Sequence, residues 1–440
     1  MQRHFLFVLA ILVLAWLAGL PTGAWTVEPS GNYWPIRRVL IHGSGFLAIA
    51  CMSLAMILAA RPIRLEGMLG GLDQFYRLHK RLGIAGALFG VAHWLIEIVP
   101  RWMVGQGGLA APQRRGAGAG DRRLFADWDE LAATLGEWGL YLVLALVVVA
   151  LWRRIPYRQF ARLHRILPLA YLMLVFHSVV FLPRSYWMAL SGPLAALLMA
   201  GGTIAAVLSL AGRIGARRRA LGHVEAIRLH EDRVLEVRCQ LETAWSGHES
   251  GQFVFVTFDR REGAHPFTVA SAWRGDGQIV LGIKALGDYT RELPGQLTLG
   301  APVTVEGPYG RFNFEGERER QVWVAGGIGI APFVSRLDLL ARDGAGGRQI
   351  DLFYSTAESD EALFARLRDT AARAGVRLHL VMTPRDPLLT PERLAEAVPD
   401  IAETEVWFCG PKAFGDALRT GLVKLGLPRR CFHQEAFEMR

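Results

Sequence analysis

Four histidines stand in two long apolar stretches, and their spacing decides what chemistry they can do. In the first stretch, Phe75 to Val99, His79 and His93 are fourteen residues apart; in the second, Gln159 to Leu182, His164 and His177 are thirteen apart. At about 1.5 Å of rise per residue, each pair spans roughly 20 Å of helix, so one member falls near each face of a bilayer. An imidazole inside hydrocarbon is unfavourable unless it finds a partner in the bundle interior. A lone one is usually a helix-to-helix hydrogen bonder or a proton-relay group. Two pairs at nearly equal spacing on two helices instead fit two stacked bis-histidine haems of b type. His79 and His164 then share the cytoplasmic-side iron, and His93 and His177 share the outer one.

The helices must aim these rings. Fourteen residues at about 100° each return to within about 40° of the starting face, so His79 and His93 project together. Thirteen residues miss by about 140°. Pro168, four residues after His164, deletes a turn's hydrogen bond and permits the kink or altered winding that the second helix needs.

Within the 440 residues the hydrophobicity is uneven: apolar runs dominate up to about residue 212, and nine of the thirteen tryptophans precede that point. Several mark the ends of apolar runs, where an amphipathic ring suits the membrane interface. Candidate spans are 5–20, 36–60, 79–100, 136–152, 160–182 and 187–212, a six-helix transmembrane bundle. The first is read as a retained span and not as a removable signal. Fifteen Lys and Arg residues fall on the side of Arg61, Arg77, Arg154 and Arg217, against eight on the side of Arg37, Arg38, Arg101 and Arg184. The richer side is cytoplasmic by the positive-inside rule, despite a basic, Gly-rich loop around 104–123 on the other side. Since the net charge of +9 resides largely at helix ends, it indicates a lipid bilayer partner and no nucleic acid. Cys51, Cys239, Cys409 and Cys431 have no ligand spacing, and nothing in them asks for a zinc or disulfide framework.

From Gly222 to about Glu315 short β-type runs alternate with turns, as in VLEVRCQL, QFVFVTF and QIVLGIKAL, the pattern of a small antiparallel β-barrel. After Arg320 strands alternate with helices, beginning with QVWVAGGIGIAPFVSRL, the pattern of an α/β doubly wound parallel sheet. The expected domains are 1–215, 216–316 and 317–440, in a multidomain membrane protein.

Several motifs resemble those of the ferric reductase and NADPH oxidase superfamily. The two histidine pairs match its haem-binding spans. His265, Pro266, Phe267 and Thr268 resemble its flavin-holding HPFT motif. Lys284 and Thr290 lie in a stretch similar to the segment that meets the FAD pyrophosphate. Gly326, Gly327, Gly329 and Pro332 form a GGxGxxP turn that resembles the superfamily's dinucleotide-phosphate loop, and Cys409, Gly410 and Pro411 resemble the CGP motif beside the nicotinamide. Phe437 resembles the C-terminal aromatic that covers the flavin ring. Alone, each short motif has an ordinary reading as a strand end, a turn, a buried thiol or a terminal anchor.

The resemblance implies a transmembrane oxidoreductase that carries electrons from cytosolic NADPH (or NADH) through FAD and two haems b to an outer acceptor, a ferric chelate or oxygen. The cytoplasmic dehydrogenase would hang from a multi-pass segment in the inner (cell) membrane. An alternative is a membrane electron-transfer subunit that serves a partner protein. One departure bears on the acceptor: the oxidase pattern carries a further histidine one turn after the outer ligand, where this chain has Glu97.

Overall fold

A computed structural model describes residues 2–20, 33–62, 69–111, 125–152, 154–230, 233–242, 245–383 and 385–435. The chain divides into two compact units, Met1–Ile214 and Gly215–Arg440.

The first unit is helical. Five of its helices are long and apolar enough to cross a membrane, among the described residues. They are α2 (Tyr33–Ala59), α3 (Leu72–Gly105), α4 (Asp129–Leu151), the pair α5 (Tyr157–His164) and α6 (Leu167–Phe181), which together make one span, and α8 (Ser191–Leu210), which follows the one-turn α7 (Arg184–Trp187). The helix α1 (Gln2–Ala18) has 17 residues. That is about 26 Å of rise, less than the roughly 30 Å hydrocarbon core, so the first of the six expected spans is the short one. It is nevertheless built into the bundle. Trp16 stacks on Tyr186 with ring centroids 5.2 Å apart, and the Ser191 hydroxyl donates to the Gly19 carbonyl at 2.9 Å.

The span bearing His164 and His177 is interrupted between α5 and α6. Pro168 lies in the first turn of α6, where its missing N–H costs nothing and its fixed φ favours a helix start. Proline therefore restarts this helix after His164 instead of bending a continuous one. Deeper in the unit, Ser53 and Tyr171 are almost wholly buried and their hydroxyls lie 2.8 Å apart. Each polar group so satisfies the other in an apolar setting. Gly202 permits the contact, because a Cβ there would fall on the Tyr171 hydroxyl.

In the second unit six strands form an antiparallel sheet: β1 (Arg219–Leu229), β2 (Val234–Leu241), β3 (Phe253–Thr257), β4 (His265–Thr268), β5 (Gln278–Lys284) and β6 (Pro302–Tyr309), in the order β4-β3-β6-β1-β2-β5. The edge strands meet through a Val269–Leu281 bridge and the Ala270 N–H bond to the Val280 carbonyl at 2.8 Å, so the sheet is a near-closed barrel. Period-two alternation puts Leu235, Val237, Cys239, Ile279, Leu281 and Ile283 inside. After β5 comes a short helix, α9 (Asp288–Gln296).

The remaining sheet is parallel, built from β7 (Arg320–Gly326), β8 (Gln349–Thr356), β9 (Val376–Met382), β10 (Glu405–Cys409) and β11 (Phe432–Glu435), in the order β11-β10-β7-β8-β9. β7 and β10 are buried almost throughout, as strands covered on both faces must be. Successive strands step outward from β7 to β9 and then jump back to β10, so a topological switch point lies between β7 and β10, where such folds bind ligands.

Tyr171→Phe should cost about 1 kcal/mol, the usual scale of a polar pair within a membrane bundle. Denaturant unfolding in detergent, run as a double-mutant cycle with Ser53→Ala, should return most of that loss as coupling between the two positions.

Candidate functional site

The four histidines meet as two cross-helix pairs. The His79 and His164 ring centroids are 6.0 Å apart with ring planes at 69°, and those of His93 and His177 are 6.1 Å apart at 89°. A metal ion between two imidazoles requires about 2 Å to each nitrogen and about 1 Å more to each ring centre, which gives the separation observed.

Three of the rings are held from behind. His79 Nδ1 lies 2.9 Å from the Ala55 carbonyl, His93 Nδ1 2.9 Å from that of Ile41, and His177 Nδ1 2.9 Å from that of Ala132. A carbonyl only accepts, so each Nδ1 carries the proton and donates. Each Nε2 is then left with a bare lone pair, the tautomer and aim that metal-ligating histidines take from such partners. His164 differs: its buried Nδ1 has no partner among the described residues, and the ring lies 5.0 Å from that of Phe160.

A cavity of about 400 Å³ adjoins the second pair, lined by His93 and His177 with Gly45, Gly86, Gly90, Gly136 and apolar side chains. Two of these glycines let the rings lie close to neighbouring helices, because a Cβ on Gly136 would fall on the His177 ring and one on Gly45 would stand 3.1 Å from His93 Nδ1. A flat apolar macrocycle with a central metal fits this donor set. At the cavity rim Glu97 is paired with Arg37 and Arg101. His42 lines the same cavity, 4.8 Å from the Tyr186 ring.

In the barrel, the expected flavin motif is strand β4, an edge of the sheet. The His265 ring stacks on Tyr289 of α9, with centroids 4.4 Å apart and planes 18° from parallel. Burial lowers the His265 pKa against an opposing pull from Glu262, which keeps the ring neutral at pH 7. Burial also pushes the Tyr289 phenol up to about 12, with Glu262 and Asp259 adding to the effect. Thr268 Oγ1 and the Tyr289 hydroxyl are buried without a hydrogen-bond partner among the described residues. Orphaned polar atoms are costly, and two of them beside partly exposed Pro266 and Phe267 fit a polar-edged ring system such as a flavin. Two other expected contacts are engaged within the protein. Thr290 Oγ1 accepts from the Leu286 and Gly287 N–H groups at 3.1 and 3.0 Å, capping α9, and Lys284 Nζ lies 3.1 Å from Glu358 Oε2.

At the switch point the Gly-rich turn and the Cys409–Pro411 segment lie against each other. A Cβ on Gly326 would stand 2.8 Å from Pro411 Cδ, one on Gly410 3.0 Å from Gly326 Cα, and one on Gly329 would collide with the Cys409 carbonyl. Gly327 has φ +53°, which favours glycine. The turn leads through Gly327–Ile330 into α10 (Ala331–Asp343), with Pro332 in its first turn. A glycine-rich turn that runs into a helix start is the kind of backbone where a phosphate can meet N–H groups. Cys409 is fully buried, and burial, reinforced by the charge on Glu435, raises its thiol pKa well above the ordinary value. Phe437 lies outside the described residues.

Two family models match. That of the ferric reductase like transmembrane component covers residues 44–175, and that of an FAD-binding domain covers 221–313. Together they match the architecture of the ferric reductase and NADPH oxidase type. The chain carries His79, His93 and His164 within the first match, with His177 two residues beyond it, and the whole His265–Thr290 stretch within the second. Its reductase half is 26% identical over 205 residues to the stachydrine N-demethylase reductase subunit of Rhizobium meliloti (strain 1021), covering 43% of this chain and 58% of that protein. It is 29% identical over 186 residues to the ferredoxin–NAD(+) reductase component of the alkene monooxygenase system of Xanthobacter autotrophicus, covering 40% and 56%. The chain thus spans a little over half the length of these relatives. The cytochrome b5 reductase domain of Ulva prolifera nitrate reductase aligns with a TM-score of 0.43 at 20% identity, over 50% of this chain and 98% of that one.

Several of these features escaped the sequence reading. The acceptors Ala55, Ile41 and Ala132 act through backbone carbonyls, which no residue type announces. The pairing of Glu97 with Arg37 was detectable only as charges placed in apolar helices, and the His265–Tyr289 stack joins residues whose separation follows no helix or strand period.

Gly136→Ala should displace the His177 ring and halve the ratio of haem to flavin in purified protein, with the His79–His164 site retained; an unchanged ratio would contradict the role given to this glycine. Cys409 should resist alkylation by iodoacetamide in the folded protein up to pH 9. Because only the unfolded chain ionises this thiol near its usual value, its contribution to stability is complete below that value and is lost as pH rises above it.

Proposed function

We propose that this chain is a transmembrane oxidoreductase that takes electrons from NAD(P)H on the cytoplasmic side and delivers them to an acceptor on the outer side. The reading includes a membrane domain over 1–215, a flavin domain over 216–316 and a nucleotide domain over 317–440, set in the inner membrane. The observation that carries it is the pairing of four histidines across helices, with three Nδ1 atoms committed to carbonyls. Nothing in ordinary helix packing requires two imidazole pairs at such a separation with three Nε2 atoms left as bare lone pairs.

When bound, FAD takes a hydride from NAD(P)H and two haems b relay single electrons to a ferric chelate or oxygen. The chain supplies placement and electrostatics. His79 and His164 hold the inner iron, and His93 and His177 the outer one. Thr268 and Tyr289 offer hydroxyls to the flavin edge, Phe267 flanks it, and neutral His265 braces Tyr289. Lys284, at the end of β5, is drawn toward Glu358 until the pyrophosphate competes for it, whereas Thr290 shapes the start of α9. Gly326, Gly327 and Gly329 admit the nucleotide phosphates, Pro332 starts the helix behind them, and Cys409 with Gly410 and Pro411 borders the nicotinamide. Phe437 is the proposed cover of the flavin. An inside-negative potential favours outward electron flow by about 2.3 kcal/mol per 100 mV.

A second reading has one observation in its favour: the relatives of the reductase half are named as reductase subunits or components of larger systems. By that reading the outer acceptor is a partner protein.

Purified protein mixed anaerobically with NADPH should develop the absorbance of reduced b-type haem, and then lose it on addition of a ferric chelate at a rate matching steady-state turnover. With oxygen as acceptor, inhibition of cytochrome c reduction by superoxide dismutase marks the oxidase branch, and insensitivity excludes it. Flavin reduction without haem reduction would overturn the proposal.

A further inference from the structure

Helices α2 and α3 run antiparallel, and the polar contacts between them share a single register. His79 of α3 bonds the carbonyl of Ala55 in α2, and His93 bonds that of Ile41. From His79 to His93 is fourteen residues, and from Ala55 back to Ile41 is also fourteen. The next rung lies four residues further on each helix: Glu97 on α3 pairs with Arg37 on α2. Arg37 also donates through Nε to the Ile96 carbonyl at 3.1 Å, and Arg101 holds Glu97 from the following turn. The Arg37 side chain is only 17% exposed and that of Glu97 29%. Four residues the other way from His79 and Ala55, the same register puts Phe75 opposite Ala59. That rung carries no charge, unlike the Arg37–Glu97 rung beyond His93.

A one-residue slip between the helices displaces a group by about 1.5 Å along the axis and turns it by about 100°. That would take the Ile41 carbonyl out of reach of His93 Nδ1. An ion pair one turn away opposes such a slip strongly, because breaking it strands a partly buried charge. Ser44 adds a local tie at the same level: its hydroxyl donates to Ile41 O at 3.1 Å and lies 3.4 Å from His93 Nδ1.

We propose that Arg37 and Glu97 are positioning residues for the outer haem ligand: their pair fixes the α2–α3 register in which Ile41 receives the His93 Nδ1 proton and His93 Nε2 points at His177. The inference rests on the haem reading above. It also gives Glu97 a task at the place where the oxidase pattern has a histidine.

The test uses the full-length protein in detergent, comparing wild type with Arg37→Gln, Glu97→Gln and Arg37→Lys. The two low-spin ferric haem signals are followed by electron paramagnetic resonance, and their midpoint potentials by spectroelectrochemistry. Loss of a group that orients a metal ligand typically weakens the site by tenfold or more. In Arg37→Gln and Glu97→Gln the outer haem should accordingly be held about tenfold less tightly, with altered g-values and potential. The inner haem, as internal control of folding, should be unchanged, and Arg37→Lys should keep most of the wild-type outer signal. Two unchanged signals in both Gln variants, or equal loss of both haems, would overturn the proposal. Wild-type protein without any bis-imidazole signal would instead overturn the haem reading beneath it.

Discussion

Everything in the membrane unit depends on hydrogen bonds from imidazole Nδ1 atoms to backbone carbonyls. They decide the tautomer of three histidines, leave each of those Nε2 atoms with a bare lone pair, and recover the desolvation cost that a lone imidazole incurs in an apolar setting. They also constrain the helices, because Ala55, Ile41 and Ala132 must lie level with the rings they receive. Gly45 and Gly136 then make room for the His93 and His177 rings. His164, whose Nδ1 has no partner among the described residues and whose helix ends at its own position, is the least constrained of the four.

The reductase unit solves a different problem by a related device. Its switch point brings two loops to van der Waals contact, and only glycine at 326, 329 and 410 allows that approach. Close backbone packing leaves N–H groups where an anion can meet them. The barrel contributes orphaned hydroxyls in place of exposed amides: Thr268 and Tyr289 remain unsatisfied by the protein, an expense that a native fold tolerates where a ligand will supply the missing partner.

Much of this was readable from residues alone. Strands such as VLEVRCQL announce themselves because one face of a barrel is buried and period-two alternation follows, and the turn after β7 because strand, glycines and proline occur in order. The four histidines were visible because imidazoles are rare in apolar helices. The interruption after His164 was only half visible. Pro168 signals a disturbance, but whether a proline kinks a helix or restarts one depends on what the preceding turn can satisfy, and that is tertiary information. Thr290 reads as a phosphate-facing hydroxyl in sequence and is a helix cap in the fold, since capping and anion binding draw on the same residue types. The register of α2 against α3 could not be read at all, because its acceptors are carbonyls common to every residue.

The central claim is that four imidazoles hold two irons one above the other. The most direct measurement is the pyridine haemochrome content of the purified chain, set against its flavin content and the low-spin electron paramagnetic resonance spectrum. Two b-type haems per flavin, both with bis-imidazole ligation, are predicted. A preparation that binds flavin and oxidises NADPH yet contains no haem, or whose haem lacks bis-imidazole ligation, would contradict the claim.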